Sequence, residues 1–305
     1  MKAAVYTSYG PPSVLKVTEI EKPTPKENEV LVKIHAATVT AGDVRLRASD
    51  FPPLFWLPAR LIFGLFKPKK RILGHEFAGV VEAVGDKVGK FAIGDEVFGT
   101  TTMLNTGSYA EYVCVPEMWK SGVVAKKPKN LSFAASAALP VGGMTALFLL
   151  RKAKINDSKN VLVYGASGSV GSYAVQLAHH LGKSVTGVCS TSNVDMVKAL
   201  GADQVIDYKT QDYTTLSQDF DIVFDAVGKT SKTAAKKVLK KDGVFVSINM
   251  MISEKLADLL EIKQMAEAGK LIPFIDKRYQ LDQIINAHEY VDSGRKRGNV
   301  VIKVT

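Results

Sequence analysis

A glycine-punctuated turn between an apolar run and an amphipathic run constrains the fold of this chain most. Residues 161–164 are apolar and strand-like, glycines follow at Gly165, Gly168 and Gly171, and an amphipathic stretch continues to Gly182. Glycines at this spacing allow a sharp turn, close approach of a pyrophosphate and tight packing of helix on strand. The helix N-terminus would present its N–H groups to the phosphates. The segment therefore predicts a dinucleotide-binding strand–turn–helix, with a tight turn that binds no ligand as the alternative.

Composition places the chain among ordinary folded proteins. Its 305 residues suffice for two domains with sizeable cores, and a hydrophobic share of 46% argues against disorder. The start lacks the apolar core of a signal peptide, and no run reaches about 18 apolar residues, so we expect no integral membrane segment. Only Cys114 and Cys189 occur, which indicates a reducing compartment and predicts a cytoplasmic location.

A formal charge of +10 is compatible with binding to nucleic acid, to an anionic membrane or to an anionic cofactor. The basic residues are spread along the chain in small clusters, and no nucleic-acid-binding motif accompanies them. Solvated faces explain them best, so we expect no nucleic-acid partner.

The pattern along the chain changes twice. Residues 1–125 contain short alternating runs separated by turn residues, which predicts an all-β domain. Residues 126–272 alternate helical and strand-like segments, which predicts parallel βαβ units in a doubly wound sheet, an α/β fold. The tail, 273–305, returns to short strands and is expected to fold back onto the first domain, making that domain discontinuous.

Strands are expected at 29–34, 79–84, 109–115, 161–164, 185–189, 204–207, 221–225, 243–248 and 299–304. Helices are expected at 131–152, 170–181, 194–200, 232–239 and 281–293.

Six further motifs in a fixed order carry a family resemblance. They are GPPSVL at 10–15, GHEFAGVVEAVG at 74–85, GDEVFG at 94–99, GADQVIDY at 201–208, FDAVG at 224–228 and RGNVV at 297–301. Together with the glycine turn they resemble the medium-chain dehydrogenase/reductase superfamily, in its zinc-independent quinone oxidoreductase branch. The resemblance covers nearly the whole chain. It implies a GroES-like β-barrel catalytic domain and a Rossmann NADP-binding domain, with the active site in the cleft between them.

A catalytic metal is not expected. Zinc-dependent relatives hold zinc with Cys, His and Cys, whereas neither 38–43 nor 139–145 contains a cysteine. His75 with carboxylates such as Asp43 would form an incomplete ligand set. We therefore interpret His75 as a packed or hydrogen-bonded residue at a strand start.

Without zinc, a nicotinamide carries the chemistry and the protein supplies geometry and electrostatics. The resemblance implies hydride transfer to a quinone or to the β-carbon of an α,β-unsaturated carbonyl. The anion that develops needs hydrogen-bond donors and a proton, which water can supply. The candidate catalytic residues are Asp43 and Thr145; Asp43 is equally well explained as a residue that orders its loop.

The cofactor is predicted to be NADPH. In NAD-dependent folds of this kind a carboxylate ends the second strand and binds both ribose hydroxyls, but residues 188–193 contain no acid. A phosphate would instead meet hydroxyl and amide donors, and the resemblance places Tyr208 beside it. No Arg or Lys lies in this turn, so the preference can be modest. The candidate cofactor-binding residues are Ala166, Ser167, Gly168, Ser169, Val170, Ser190, Ser192, Asn193, Tyr208, Val227, Asn249, Arg297 and Asn299.

Residues 51–66 are more hydrophobic than a solvent-exposed loop normally is, and a basic cluster follows at 67–71. Three interpretations stay open: an apolar lid over the substrate site, contact with an anionic membrane, or packing against the barrel.

The sequence between 249 and 260 is too short for a sixth strand, a crossover and a helix start. Either the sheet is truly shortened, or a mobile stretch is missing from the sequence; long mobile loops beside a cofactor site are common, which favours the second. In relatives the neighbouring strand often pairs across a dimer, so a homodimer is also open.

Two functional classes stay open. The first is an NADPH-dependent reductase of quinones or conjugated carbonyls. The second is an NADPH-binding structural or RNA-binding protein of the crystallin type, with little dedicated catalysis. The scattered basic residues favour the enzyme.

Overall fold

A computed structural model describes residues 1–119 and 122–305, with the backbone alone at Leu104. The strands are β1 (Lys2–Val5), β2 (Lys16–Glu19), β3 (Glu29–Thr38), β4 (Glu76–Val84), β5 (Glu96–Thr100), β6 (Tyr112–Pro116), β7 (Val123–Lys126), β8 (Asn160–Tyr164), β9 (Ser184–Cys189), β10 (Gln204–Asp207), β11 (Phe220–Asp225), β12 (Leu239–Ser247), β13 (Ile275–Gln280) and β14 (Asn299–Lys303).

The helices are α1 (Ala41–Ala48), α2 (Pro53–Phe63), α3 (Thr102–Asn105), α4 (Phe133–Ala137), α5 (Pro140–Lys152), α6 (Ser169–His180), α7 (Val194–Ala199), α8 (Lys232–Ala235), α9 (Leu256–Glu267) and α10 (Ile284–Asp292). The chain divides into two compact units. Unit 1 comprises Met1–Pro140 and Ile275–Thr305, and unit 2 comprises Val141–Phe274.

Unit 1 is built on a mixed seven-stranded sheet. Its order is β13-β14-β3-β4-β5-β7, and β6 also pairs with the long strand β3. The pair β13–β14 is parallel, and the other pairs are antiparallel. The inward side chains of these strands, such as Val32, Phe77 and Val97, are fully buried and form the core. The tail strand β14 lies directly beside β3.

Residues 1–125 are not all-β, because α1, α2 and α3 interrupt the strands. A capping box starts α1: Thr40 accepts from the Asp43 backbone N–H, and the Asp43 carboxylate accepts from the Thr40 N–H. These reciprocal bonds satisfy donors that a helix start leaves without partners. The prediction of an all-β segment is therefore wrong at this point, where a Thr-x-x-Asp sequence marks a helix.

A buried polar network joins α1 to α10. Arg47 donates from Nε to the Gly10 carbonyl, from Nη1 to His288 Nδ1 at 3.1 Å, and from Nη2 to Asp292 at 2.7 Å. His288 is fully buried, and the Tyr109 ring lies edge-on to it. Burial lowers the pKa of His288 to about 3, so its ring is neutral at physiological pH.

The segment 51–66 forms α2 and its C-terminal extension on the surface of unit 1. Ala59 is the one buried residue of α2, whereas Leu54, Phe55 and Leu61 are all more than half exposed. The interpretation that this segment packs against the barrel is therefore wrong for most of its side chains.

Unit 2 contains a five-stranded sheet that is parallel throughout. Its order is β10-β9-β8-β11-β12. The first strand of the unit, β8, is therefore central, with β9 and β10 on one side of it and β11 and β12 on the other. Its inner residues Leu162, Val188 and Phe220 are buried under the helices. The predicted doubly wound parallel sheet is confirmed.

Three predicted elements in this part of the chain differ from the structure. The helix expected at 131–152 is two helices, α4 and α5, which residues 138 and 139 separate before Pro140. Proline disfavours helical backbone in the residue before it and has no N–H to continue the ladder. The helix expected at 232–239 ends at Ala235, and the strand expected at 243–248 begins earlier, at Leu239.

Across the described residues the unit 2 sheet has no sixth strand, and residues 248–255 connect β12 to α9 without a helix or strand. The idea that a mobile stretch is missing from the sequence stays a prediction. Among the residues the structure describes, no helix is both long and apolar enough to cross a bilayer.

Candidate functional site

The glycine turn connects β8 to α6 at the carboxyl edge of the unit 2 sheet. Gly165 has φ +80°, a backbone conformation that residues with a side chain rarely adopt, and a Cβ there would lie 2.5 Å from the Val227 side chain. A Cβ on Gly171 would lie 2.1 Å from the Gly165 carbonyl oxygen. Both positions therefore require glycine for the turn and for close packing of α6.

Gly168 differs from the other two glycines of the turn. It is the N-cap of α6 with φ −76° and ψ 175°, a conformation open to any residue, and no side chain caps the helix there. Among the described residues, a Cβ on Gly168 would have one neighbour within 4 Å beyond the adjacent residues, the Gly165 carbonyl oxygen at 3.5 Å. The protein itself does not require glycine at this position, so the space beside it is available to a ligand at the positive end of α6.

Polar side chains after β9 contact this turn. Asn193 donates from Nδ2 to Ser167 Oγ at 3.0 Å and to Ser190 Oγ at 3.1 Å, and the Ser190 and Ser192 hydroxyls lie 3.5 Å apart. Asn193 Oδ1 is buried and, among the described residues, accepts no hydrogen bond. A buried acceptor beside a glycine turn suits a ligand hydroxyl, because leaving such an atom unsatisfied costs free energy.

An acid that the sequence pattern did not indicate lies in this region. Asp207 ends β10, which pairs with β9, and its carboxylate accepts from the Thr191 hydroxyl and from the Lys209 N–H. The Thr191 hydrogen bond contributes most to lowering the pKa of Asp207, and the Lys209 charge adds to it. Tyr208, which lies between Asp207 and Lys209 in the sequence, is exposed. Parallel register is the signal that could have found Asp207, since it places residue 207 opposite residue 189.

A buried aspartate organises the ends of β11 and β12. Asp225 accepts from the Gly228 N–H at 2.9 Å and the Val227 N–H at 3.2 Å through Oδ1, and from Ser247 Oγ at 2.9 Å through Oδ2. A Cβ on Gly228 would lie 2.9 Å from the Asn249 amide, so Val227 and Asn249 belong to one local cluster. Asp225 supports residues predicted to bind cofactor, although the sequence alone did not distinguish it from an ordinary strand end.

The structure therefore gathers most predicted cofactor-binding residues at one edge of unit 2. Residues 166–170, Ser190, Ser192, Asn193, Tyr208, Val227 and Asn249 all follow the carboxyl ends of parallel strands. In open α/β sheets that edge is where nucleotides bind. Thr145 is buried in α5, whose Gly142 approaches Ser169 so closely that a Cβ would lie 2.4 Å from its hydroxyl.

The remaining predicted residues belong to unit 1, where Asp43 is fully buried. Its Oδ2 accepts from the Thr40 N–H at 2.8 Å and hydroxyl at 2.6 Å. Its Oδ1 lies 2.6 Å from His75 Nδ1 and accepts from the Gly74 N–H at 3.1 Å. Burial alone would raise the pKa of Asp43, but the bonds from His75 and Thr40 outweigh burial and hold it below its usual range.

His75 is buried directly before β4 and hydrogen-bonded to Asp43, as the interpretation of a packed, hydrogen-bonded residue requires. In the part of the chain that the structure describes, no group of three or more His, Cys, Asp or Glu side chains could hold a metal ion. The two cysteines lie elsewhere, with burial raising the pKa of each thiol to about 11.

Lys296, Arg297 and Asn299 lie where the tail enters β14. Arg297 donates from Nε to Asp276 at 3.0 Å, and Asn299 is buried. Lys296 donates to the Gly298 carbonyl at 2.8 Å, and desolvation of its ammonium lowers its pKa to about 8 despite the charges of Glu76 and Asp276. Lys296 could not be identified from the sequence, because in a basic run nothing distinguishes a desolvated lysine from its solvated neighbours.

Comparisons with known proteins cover the whole chain. The family model of the alcohol dehydrogenase GroES-like domain matches residues 26–129, and that of the zinc-binding dehydrogenases matches residues 169–272. The chain is 36% identical to a 2-methylene-furan-3-one reductase of Solanum lycopersicum, across 99% of this chain and 79% of the relative. It is 32% identical to the chloroplastic NADPH-dependent alkenal/one oxidoreductase of Arabidopsis thaliana, with the same coverage.

Among solved structures, a quinone oxidoreductase from Coxiella burnetii matches with a TM-score of 0.86 at 29% identity, covering 100% of this chain and 99% of that one.

Proposed function

Because the chain belongs to the medium-chain dehydrogenase/reductase superfamily, in its quinone oxidoreductase branch, we propose that it transfers hydride from NADPH, without zinc, to quinones or α,β-unsaturated carbonyl compounds. It is an NAD(P)H-dependent oxidoreductase. The observation that carries the proposal is the carboxyl edge of the unit 2 sheet, where the glycine turn, the Asn193 cluster and the Asp225-supported loop lie side by side.

The residues at this edge fit a dinucleotide. The open space beside Gly168 and the positive end of α6 suit the pyrophosphate, and Asn193 Oδ1 suits a ribose hydroxyl. Val227, whose N–H donates to Asp225, and Asn249, whose N–H donates to Ser247, would bound the nucleotide from β11 and β12. The bound nicotinamide supplies the hydride, and the protein supplies position and charge.

Preference for NADPH over NADH is supported by the hydroxyl and amide groups of Ser190, Ser192 and Asn193. Asp207 acts in the opposite direction, because a carboxylate near the same turn repels a 2′-phosphate. Lys209 next to it supplies the positive charge that the β9 turn itself lacks. We therefore propose a moderate preference for NADPH rather than exclusive use of it.

On the substrate side, the developing enolate or hydroquinone anion requires a proton. Lys296, whose ammonium donates to the Gly298 carbonyl and whose pKa desolvation lowers to about 8, is the proposed source of this proton, with water as the alternative. Asp43 has both oxygens occupied by hydrogen bonds, so ordering of Thr40, Gly74 and His75 is its proposed role. Thr145 is kept as a candidate hydroxyl donor, and Arg297 and Asn299 as candidate cofactor contacts.

A Lys296→Met variant tests the proton source. If Lys296 donates, activity of the parent protein falls as pH rises through about 8, and the variant has lower but pH-independent activity between about pH 7 and 9. An unchanged pH profile in the variant would assign the proton to water.

One screen tests the proposed function as a whole. Oxidation of NADPH is followed at its absorbance with a panel of quinones, alkenals and enones, with NADPH binding measured in parallel by fluorescence. Turnover of members of the panel is expected, whereas tight NADPH binding with no turnover of any of them would support the crystallin-like alternative.

A homodimer and a cytoplasmic location stay predictions. Relatives carry names that include chloroplastic and mitochondrial forms. Light scattering of the purified protein tests the first prediction, and localisation of the tagged chain in its native cell tests the second.

A further inference from the structure

The outer face of α2 is apolar across its whole width. At 3.6 residues per turn, one side of the helix carries Leu54, Phe55, Leu57, Pro58, Leu61 and Ile62. Exposure on this side is high, for example 82% for Leu54 and 60% for Phe55, and Phe66 after the helix is 88% exposed. A surface helix of a globular protein normally turns its apolar stripe inward, so this orientation is reversed.

The opposite side of α2 fixes the helix to unit 1. Phe63 stacks on Phe51 at 5.8 Å, and both pack against the buried core of unit 1. The Arg60 guanidinium lies 4.0 Å from the centre of the Tyr9 ring, and the Tyr9 hydroxyl donates to the Gly64 carbonyl at 2.9 Å. The outward direction of the apolar face is therefore set by specific contacts rather than by a frayed segment.

A basic segment is folded against the end of this helix. After Gly64, with φ +124°, the chain reverses, and the Lys69 N–H donates to the Phe63 carbonyl at 2.8 Å. The Lys69 ammonium donates to the Leu61 carbonyl at 2.8 Å. Residues 51–71 include five basic residues and no acidic residue. Positive charge therefore borders the apolar face directly.

We propose that α2 and the basic segment 67–71 form a membrane-surface site that binds anionic phospholipid bilayers. Apolar side chains of α2 would enter the headgroup boundary while Lys67, Lys70 and Arg71 contact lipid phosphates. Charge decides between occupants: a second copy of the chain on a two-fold axis would bring two such basic segments to one interface, where they repel. The proposal is independent of the reductase activity.

Vesicle sedimentation of the full-length protein tests the site. Binding is expected to phosphatidylcholine vesicles with about a third phosphatidylglycerol and not to pure phosphatidylcholine, and it should weaken at about 0.5 M salt. Lys67→Glu with Lys70→Glu should weaken binding by at least about 20-fold, since each basic residue contributes about fivefold. Phe55→Ser with Leu61→Ser should weaken it by about a hundredfold.

Matched controls carry the same chemical changes elsewhere. Lys236→Glu with Lys237→Glu reverses two exposed charges in unit 2, and Ile93→Ser removes a side chain that is 68% exposed. Both controls should bind vesicles like the parent protein. Equal Tm values across the set exclude unfolding as the cause of any loss.

Trp56 gives a second readout that does not depend on sedimentation. The chain has two tryptophans, Trp56 and Trp119, so Trp119→Phe leaves Trp56 as the single reporter. Its emission should shift to shorter wavelength with anionic vesicles and be quenched by brominated lipid.

Three results would overturn the proposal. The first is an absence of binding to anionic vesicles, and the second is binding that survives Phe55→Ser with Leu61→Ser. The third is that Phe55→Ser with Leu61→Ser leaves vesicle binding unchanged and alters another property. That property would be the oligomeric state, if a dimer becomes a monomer, or the KM for apolar enones, if it rises. That result would assign α2 to a subunit interface or to a substrate lid.

Discussion

At the residue scale, two neighbouring charges at the end of β10, Asp207 and Lys209, are expected to have opposite effects on the choice between NADPH and NADH. Asp207 should disfavour a 2′-phosphate and Lys209 should favour it; the Asp207 carboxylate accepts from the Thr191 hydroxyl after β9 and from the Lys209 backbone N–H. A unit charge near a partly solvated phosphate changes affinity by about fivefold. We expect Asp207→Asn to raise the ratio of kcat/KM for NADPH to that for NADH by about this factor, and Lys209→Ala to lower it similarly.

Steady-state kinetics with both cofactors measures these ratios. Lys241→Ala, an exposed lysine on β12, is the matched control and should leave the ratio unchanged. If neither Asp207→Asn nor Lys209→Ala moves the ratio, the ribose phosphate binds elsewhere.

The buried imidazole of His288 makes stability depend on pH. Its pKa is about 3 in the folded protein and about 6.5 in the unfolded chain, so below pH 6.5 the unfolded chain binds more protons. Stability from this group is full above pH 6.5 and is lost as pH falls towards 3. Between pH 6.5 and 5 the loss is about 2 kcal/mol.

Urea unfolding across this pH range, with His288→Asn as the comparison, measures the effect. Asn keeps an acceptor for Arg47 but does not titrate, so most of the slope should disappear. His35, whose pKa burial also lowers, accounts for a remainder, and the Asp43 shift acts only below about pH 4. A variant with the full slope of the parent protein would show that His288 is not the responsible group.

At the element scale, the turn between β8 and α6 separates a folding requirement from a binding requirement. Gly168→Val is expected to fold at a cost of about 0.5–1 kcal/mol, because its Cβ has space and valine is a poorer N-cap residue than glycine, but to weaken NADPH binding at least about tenfold by filling the pyrophosphate space. Gly171→Ala places a Cβ 2.1 Å from the Gly165 carbonyl oxygen and should cost about 1–3 kcal/mol of stability.

Calorimetry for Tm and titration with NADPH distinguish the two effects. Tight NADPH binding by Gly168→Val would contradict the placement of the pyrophosphate at this turn.

The elements of unit 2 were largely predictable because each strand and helix has its own period and glycine or polar boundary. The break between α4 and α5 was also readable, from Pro140. The helices α1 and α2 of unit 1 were missed for different reasons. The start of α1 is marked in the sequence by Thr40 and Asp43, whereas the apolar run of α2 has the same pattern whether its outer face is covered or open.

The candidate site divides in the same way. The glycine turn and the polar residues after β9 follow from local sequence. The contact of Asp207 with Thr191 depends on strand order and register, and the desolvation of Lys296 depends on packing by distant segments. Neither property is encoded by a residue together with its immediate neighbours.

At the scale of the whole molecule, the small number of side chains that could ligate zinc predicts an enzyme without a metal ion. The chain has two cysteines, and the His75 imidazole is bound to Asp43. Elemental analysis after dialysis should find well under one zinc per chain, and a chelator should leave reductase activity intact. One tightly bound zinc per chain, lost together with activity on chelation, would contradict the proposed mechanism.

The outward apolar face of α2 also changes how the concentration of a substrate should be counted. Apolar quinones partition into the hydrocarbon layer of a bilayer, which is about 30 Å thick. An enzyme bound to that surface meets its substrate at the density of the layer rather than at its average in the sample. Its apparent KM, expressed per volume of solution, would then vary with the amount of lipid present, while KM per volume of lipid would stay constant.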